Sequence, residues 1–470
     1  MVTDLHFILN DSEIQVSARP GLLVLDFLRE SKRLTGTKEG CREGDCGACA
    51  VLIGELVGDE VHYKSITSCL MPVGELQGKH LVSIEGLNMA ALSAVQQAIV
   101  DEGASQCGFC TPGIVVSLTG YLMEREGDID IEGVKEALGG HLCRCTGYRS
   151  LKACHHHLNR DAGSASGVNE LVDCGILPDY FSNIRRELQA IHLTSAPSLP
   201  SGTNVIVAGG TDIYVQQGDE IPDSNAVLLN RYPELRGIRD LETHLSIGAL
   251  TTFEEFSNSP SVLKYIPEIR EYMMEIASIQ IRNRATLAGN LINASPVGDM
   301  TILLLALRAE LLLKEGEIER TVLLSEFYDG YKELAKTPGE ILTEIRIPAL
   351  PSTSKINWEK VSKRKYLDIA SVNSAAVIRT EGEQICDVTL TAGGVAPVPL
   401  ILDATGSFLT GKNISAEVIR NAAAVAQDEI APISDVRGSA EYKRLLLRQL
   451  IFAHFVRLYP EFISAEILYA

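Results

Sequence analysis

Eight of the eleven cysteines fall between Cys41 and Cys145, in two groups with different spacings. No other feature narrows the choice of fold as far. A chain that must bring four thiols together, twice, has to build that region around the thiols. The opening stretch, Met1-Val-Thr-Asp-Leu-His, has no basic segment followed by an apolar run of the kind that directs export. Clustered thiols without such a signal read as metal ligands or redox groups, not as a disulfide framework. A cytoplasmic location is the expectation.

The first group is Cys41-x4-Cys46-x2-Cys49, with Cys69 after nineteen intervening residues. This is the plant-type [2Fe–2S] spacing. Three thiolates on one short loop must wrap the cluster with backbone N–H groups aimed at the sulfurs. Gly40, Gly44 and Gly47, with Ala48, leave room for that close approach. The fourth ligand, Cys69, arrives from a separate segment. Structural zinc usually pairs two short Cys-x2–4-Cys knuckles, and a second knuckle is missing here.

The second group is Cys107-x2-Cys110 with Cys143-x1-Cys145. Cys110 directly precedes Thr111-Pro112, which fits an N-cap followed by proline at the first helical position. Cys145 precedes a helix expected from Gly147 onward. Thiolates at helix N-termini are favoured by the dipole and by free N–H groups. Two such helix starts brought together form a four-thiol pocket, which on spacing alone suits either zinc or an anionic cluster.

The chain of 470 residues allows roughly three domains at ~150 residues each. With 46% apolar and 22% charged residues, wholesale disorder is excluded. Lys and Arg total 42 against 61 Asp and Glu, a net charge of −19. Such a chain repels phosphate backbones, so no nucleic-acid partner is expected. A nucleotide cofactor stays open, because backbone N–H groups bind phosphate without net positive charge. The apolar run Ile302 to Leu307 is far short of the ~20 residues that span a bilayer, so no membrane span is expected.

Along the chain, Leu5-His-Phe-Ile-Leu alternates and ends at Asn10-Asp11, a hairpin signal, and Ile14-Gln-Val resumes the strand. Leu22 to Glu30 reads as a helix, as do Ala90 to Val100 and Ile114 to Arg125. Asp161-Ala-Gly-Ser-Ala-Ser-Gly-Val is small and polar, a linker signal. Beyond Tyr180 only Cys386 remains of the cysteines, and strand and helix patterns mix to the end. Pro338-Gly339 and Pro348 to Ser354 mark a further subdivision near 350. Cys154, Cys174 and Cys386 have no partner at ligand spacing and read as buried, inert thiols. His155-His156-His157 reads as a solvated helix end.

Two glycine turns stand out in the second half. Val205-Ile-Val-Ala-Gly-Gly-Thr-Asp-Ile reads as a buried strand running into a Gly209-Gly210 turn. Gln280 to Asp299 places Gly289-Asn290 and Asp299 in a second loop. Such turns expose N–H groups able to cradle a pyrophosphate, with Thr211 and Thr286 adding hydroxyls. Taken singly, each also suits plain hairpin punctuation. No G-x-G-x-x-G occurs, so a Rossmann site has no direct support.

Gln106-Cys-Gly-Phe-Cys-Thr-Pro-Gly with Leu142-Cys-Arg-Cys-Thr-Gly-Tyr-Arg closely resembles the helical [2Fe–2S] domain of the molybdenum hydroxylases, the xanthine dehydrogenase family. Cys41-Arg-Glu-Gly-Asp-Cys-Gly-Ala-Cys resembles the ferredoxin-like domain of the same family, and the two glycine segments resemble its FAD-binding domain, in the same order. The resemblance implies a multidomain α+β chain. A β-grasp ferredoxin-like domain would span 1–82 and a helical [2Fe–2S] domain 83–160. A linker at 161–179 would lead to an α+β FAD-binding domain at 180–350, and a C-terminal α/β flavoprotein domain would occupy 351–470.

By the same resemblance, Cys41, Cys46, Cys49 and Cys69 would hold one cluster, and Cys107, Cys110, Cys143 and Cys145 the other. Ile206, Val207, Ala208, Gly209, Gly210, Thr211, Asp212 and Ile213, with Thr286, Gly289 and Asn290, would hold FAD. Asp299 would hydrogen-bond the cofactor, and Lys360 would lie near the flavin. Asp368 belongs to another family motif. Where the family carries an aromatic residue beside the flavin, this chain has Ile276, so stacking is not expected there. Gln106 and Cys145 would lie where the cluster domain meets molybdopterin.

The sequence ends at Ala470, so the molybdenum cofactor is expected on a large partner subunit, in a heterotetramer of two small and two large chains. The implied activity is oxidation of hypoxanthine and xanthine to urate with NAD⁺ as acceptor. Within the class the alternative is a hydroxylase of another heterocycle or an aldehyde, followed by a free-standing flavin–ferredoxin reductase. A cluster-based redox sensor would need a DNA- or partner-binding module, and no basic one is evident.

Overall fold

The computed structural model describes residues 2–125, 127–191 and 205–469. The described chain divides into two compact units, each gathered from separated stretches. The first takes residues up to 191, then 205–232 and 277–285; the second takes 233–276 and 286–469.

The first unit opens with a five-stranded sheet of β1 (Thr3–Leu9), β2 (Ser12–Ala18), β3 (Ala50–Val57), β4 (Glu60–Thr67) and β5 (His80–Val82), in the order β2-β1-β5-β3-β4. The expected hairpin closes at Asn10, whose positive φ of 56° suits asparagine. β1 and β5 run parallel at the centre, the mark of a β-grasp. The period-two rule then separates two cores. Val51 and Ile53 of β3 face Phe7, Val24, Phe27 and Leu28. Ala50 and Leu52 face helical residues beginning with Val95 and Ala98. The helix at Val24–Asp26 continues as a π turn over Phe27–Ser31, where Lys32 N–H reaches Phe27 O at 3.0 Å.

The Thr111–Glu124 helix packs across β3 and β4. Gly120 lets it approach, since a Cβ there would fall 2.8 Å from Leu52 Cδ2. Cys110, not Thr111, is its N-cap residue, since Thr111 is already helical, and Thr111 Oγ1 is engaged with Ser105 Oγ at 2.7 Å. The stretch expected as a linker is folded. Gly167–Asp173 is a helix, and Leu171, Ile176 and Leu177 are buried in the core of the cluster-bearing helices. Apolar residues at helical spacing beyond the polar Ser164-Ala-Ser stretch outweigh its linker-like composition. The next helix, Phe181–Ala190, also belongs to this unit, with Ile184, Leu188 and Ile191 packing on Ile8 of β1.

The second unit contains two antiparallel sheets. One orders its strands 318–323, 310–315, 341–348, 244–248 and 238–240; the other orders 354–361, 372–381, 384–393 and 400–401. The long helix Ala440–Leu458 covers the first two strands of the latter sheet. Helix Asp299–Ala306 lies on its two central strands, with Met300 to Ala306 all buried. The apolar run noted in the sequence is therefore a core helix. Among the described residues no helix is long and apolar enough to cross a membrane.

Candidate functional site

The thiols of the first group meet in pairs. Cys41 lies beside Cys46, and Cys49 beside Cys69. The contact with Cys46, helped by the N–H groups of Glu43, Asp45 and Cys46, pulls the Cys41 thiol down to about 5, while its partner is raised. Cys49 is likewise lowered by its contact with Cys69. In each pair the shared contact moves the two thiols in opposite directions, lowering one and raising the other. The loop geometry explains the glycines. Gly44 and Gly47 have φ of 79° and 65°. A Cβ on Gly40 would lie 2.7 Å from Cys46 Sγ.

The second group pairs across its two segments. Cys110 contacts Cys143, and Cys107 contacts Cys145. Burial first, then the Cys143 contact, pushes the Cys110 thiol up to about 12. Burial also opposes ionisation of Cys143, but hydrogen bonds from Thr146 and Cys145 outweigh it and the thiol is lowered. Cys143 is buried, whereas Cys107 and Cys145 are exposed beside Phe109 and Leu142, each about half exposed (47% and 48%). Gln106 Nε2 donates to Cys145 O at 3.3 Å.

Among the described residues no three His, Cys, Asp or Glu side chains converge on a single ion position. Two pairs per group, with N–H groups turned toward the sulfurs, fit a two-iron cluster in which each iron takes two thiolates. Loading iron into either group would release thiol protons.

The two groups are joined directly. Leu142 N–H, one residue before Cys143, donates to Cys46 O at 3.1 Å. A Cβ on Gly113, three residues after Cys110, would lie 2.3 Å from Gly47 O.

The first glycine turn belongs to this same unit. Strand Ile206–Val207 pairs with Val227–Leu228 and runs into Ala208-Gly209-Gly210, then into the short helix Ile213–Gln217. Val207 and Tyr214 share a core with Cys49, Cys69 and Leu70. Arg284 pins the turn. It donates to Gly209 O at 2.7 Å and pairs with buried Glu75 at 3.0 and 3.2 Å. Gly209 is obligatory, because a Cβ would lie 2.0 Å from Arg284 O. Gly210 has a φ of 78°. Neither Arg284 nor Glu75 was singled out in the sequence, where they stand far apart.

The second glycine segment is in the other unit, and it is not a turn. Gly289 and Asn290 lie inside the helix Leu287–Asn293, capped by Thr286, whose Oγ1 accepts Gly289 N–H at 3.0 Å. The Thr-x-x-Gly spacing of a capped helix start was the signal available. Asn290 Oδ1 accepts from Thr301 N–H and Oγ1 at 3.2 and 3.0 Å. Lys360 Nζ reaches Asp299 Oδ2 and Glu275 O, both at 2.8 Å. Asn373 Nδ2 donates to the other Asp299 oxygen at 2.6 Å. Asn373 was missed in the sequence, as was Gly393, whose Cβ would lie 2.1 Å from Asn373 Oδ1. Asp368 instead accepts from Arg364 N–H at 2.9 Å and Ile369 N–H at 3.1 Å, within its own loop. Ile276 is buried.

The leftover thiols divide. Cys154 is buried with its Sγ 3.5 Å from Ala98 O, and burial pushes it up to about 12. Cys174 is exposed at a helix end and Cys386 half-buried on a strand, so the expectation of buried thiols fails for both. The histidines are mid-helix within Arg149–Ala162, not at its end, and His157 pairs with Glu102 at 2.7 Å.

Comparison with known proteins finds four matching stretches along the chain. Residues 7–74 match a 2Fe-2S iron-sulfur cluster binding domain and 83–155 a [2Fe-2S] binding domain. Residues 188–350 match an FAD binding domain in molybdopterin dehydrogenase, and 359–458 a CO dehydrogenase flavoprotein C-terminal domain. Xanthine dehydrogenase of Emericella nidulans is 29% identical over 98% of this chain, and xanthine dehydrogenase 1 of Arabidopsis thaliana 27% over 93%. The chain spans only 39% and 38% of their lengths. Among solved structures, reconstituted CO dehydrogenase from Oligotropha carboxidovorans is 30% identical with a TM-score of 0.52, over 56% of this chain and 92% of that one. A Cu,Mo-CO dehydrogenase in its cyanide-inactivated form is 32% identical with a TM-score of 0.51, over 53% and 88%. Two thiol tetrads followed by an FAD-binding domain, with relatives of this kind, have one consistent reading: the chain belongs to the molybdenum hydroxylase family, as an iron–sulfur and FAD electron-transfer chain.

Proposed function

We propose that this chain is the electron-transfer subunit of a xanthine dehydrogenase. It would carry electrons from a molybdenum cofactor on a large partner subunit, past Cys107/Cys110/Cys143/Cys145 and then Cys41/Cys46/Cys49/Cys69, to FAD and NAD⁺. One observation carries the order. Within a single unit, the second thiol group is hydrogen-bonded to the first through Leu142 and Cys46, and the first shares a core with Val207 and Tyr214, which flank the Gly209-Gly210 turn.

When bound, the clusters pass single electrons and FAD gathers two for delivery as hydride. The chain's own residues do the rest. Eight thiolates hold iron, and loop N–H groups steady the sulfurs. Ile206 to Ile213 in the first unit are assigned to FAD phosphate contacts. Thr286, Gly289, Asn290, Asp299 and Lys360 in the second are assigned to FAD as well. Half-exposed Phe109 and Leu142 beside exposed Cys107 and Cys145 suit docking of the molybdenum subunit, in an assembly of two small and two large chains in the cytoplasm.

A second reading keeps the relay and changes the substrate. Similar structures include quinoline 2-oxidoreductase from Pseudomonas putida 86, 25% identical with a TM-score of 0.51 over 55% of this chain and 90% of that one. The test is reconstitution. The isolated chain should pass electrons from NADH to a dye without oxidising xanthine, and adding the co-purifying large subunit should give xanthine-dependent NADH formation. Turnover of a heterocycle or carbon monoxide but not xanthine would select the second reading. Absence of molybdenum on any co-purifying chain would sink both.

A further inference from the structure

His141 is 2% exposed and lies two residues before Cys143. Its ring is wedged between the two ligand loops. A Cβ on Gly47 would fall 2.4 Å from His141 Nδ1, and one on Gly113 would fall 3.3 Å from His141 Cε1. Gly47 stands between Cys46 and Cys49. The Nδ1 edge of the ring therefore abuts the loop of the first thiol group.

The hydrogen bonds around the ring are compatible with a hydrogen on Nδ1. Gln280 Nε2 donates to Ala137 O at 2.9 Å; a carbonyl only accepts, so the amide orientation is set. The same nitrogen donates to Ser117 Oγ at 3.1 Å. Ser117 Oγ, accepting there, has its own hydrogen to give to His141 Nε2, 2.8 Å away. A neutral imidazole that accepts at Nε2 carries its hydrogen on Nδ1, and a charged ring would carry one there too. Among the described residues, buried His141 Nδ1 has no hydrogen-bond partner. An unmet buried donor costs about 1–3 kcal/mol, so a chain that keeps one beside a metal loop points to a ligand there.

We propose that His141 Nδ1–H donates a hydrogen bond to a sulfur of the cluster held by Cys41, Cys46, Cys49 and Cys69, raising the reduction potential of that cluster. The added electron resides largely on iron and sulfur, so a donor to sulfur stabilises the reduced form. Raising the potential of the cluster nearer the flavin turn draws electrons forward from the Cys107/Cys110/Cys143/Cys145 cluster. Gln280 and Ser117 act as positioning residues that hold the tautomer. The inference rests on the cluster reading of both thiol groups.

The test is a potential measurement on the full chain, purified anaerobically, by redox titration followed by electron paramagnetic resonance. In H141L the ferredoxin-like cluster should become at least tenfold harder to reduce, about 59 mV for one electron, with the other cluster moving less. H141N, whose amide N–H replaces Nδ1–H, should recover most of the shift. Pulsed resonance on protein labelled with ¹⁵N-histidine should show nitrogen coupled to the reduced ferredoxin-like cluster, lost in H141L. Unmoved potentials in an iron-replete H141L, with no nitrogen coupling in the parent, would overturn the proposal. If H141L fails to retain iron, S117A decides, since it releases the tautomer without touching a ligand loop. A lowered potential there supports the proposal, and an unmoved one overturns it. Lack of iron in the parent chain would instead defeat the cluster reading itself.

Discussion

Lys360 and Asp299 form a buried ion pair, Nζ to Oδ2 at 2.8 Å, with the lysine side chain wholly shielded and the aspartate 13% exposed. Breaking such a pair on one side leaves a buried charge, at a cost of about 3–5 kcal/mol. K360M should therefore destabilise the second unit by about that much, and K360M/D299N should recover much of the loss, both read by denaturant unfolding. Flavin content separates the roles. If the pair touches FAD, the double variant stays flavin-poor after its stability returns. Full flavin in the double variant would make the pair purely structural.

The two glycine segments predict different outcomes. G209A puts a methyl 2.0 Å from a backbone carbonyl and disturbs the Arg284–Glu75 pair, so it should destabilise the first unit by about 1–3 kcal/mol. G289A meets only Thr286 Oγ1, at 2.8 Å. It weakens the helix cap, at about 1 kcal/mol, and leaves the fold standing. Flavin released from folded G289A, with both cluster signals present, would report on binding; full flavin retention would count against Gly289 as a contact.

C143S removes a thiol that pairs with Cys110 and leaves the Cys41–Cys46 and Cys49–Cys69 pairs intact. Iron should fall from about four per chain to about two, the content of one two-iron cluster, with one paramagnetic signal surviving. Loss of both signals from folded protein would mean that the two groups do not load independently.

His454 is fully shielded between Asn357 Nδ2 at 2.8 Å and Ser374 Oγ at 2.9 Å, and burial lowers its pKa from 6.5 to about 3. Between these values the unfolded chain takes up a proton that the folded chain refuses. The stabilisation is complete above about 6.5 and lost as pH falls toward 3, by up to about 1.4 kcal/mol per pH unit. The single tryptophan, Trp358, is buried in the same unit, so its fluorescence follows the transition. H454N should flatten the acid limb of stability against pH; an unchanged slope would show that His454 is not responsible.

The two thiol groups were legible because their information is local. Three thiols within nine residues state a cluster-type spacing locally, the second group needed its flanking residues as well, and β-strand alternation in Leu5 to Leu9 needs no partner to be read. The Asn10 hairpin follows from its turn residue, and the helix after Cys110 from Pro112 in its first turn. Composition misled where packing outweighed it: Leu171, Ile176 and Leu177 drew a linker-like stretch into a core, and the Thr286 cap turned an apparent glycine turn into a helix. Arg284 and Glu75 are separated by 209 residues, Asn373 and Asp299 by 74, and His141 and Ser117 by 24. A lone arginine, asparagine or histidine carries no local pattern. Its meaning arises only when folding removes water and leaves each polar group the few partners that remain, which is a property of the packed chain and not of its order.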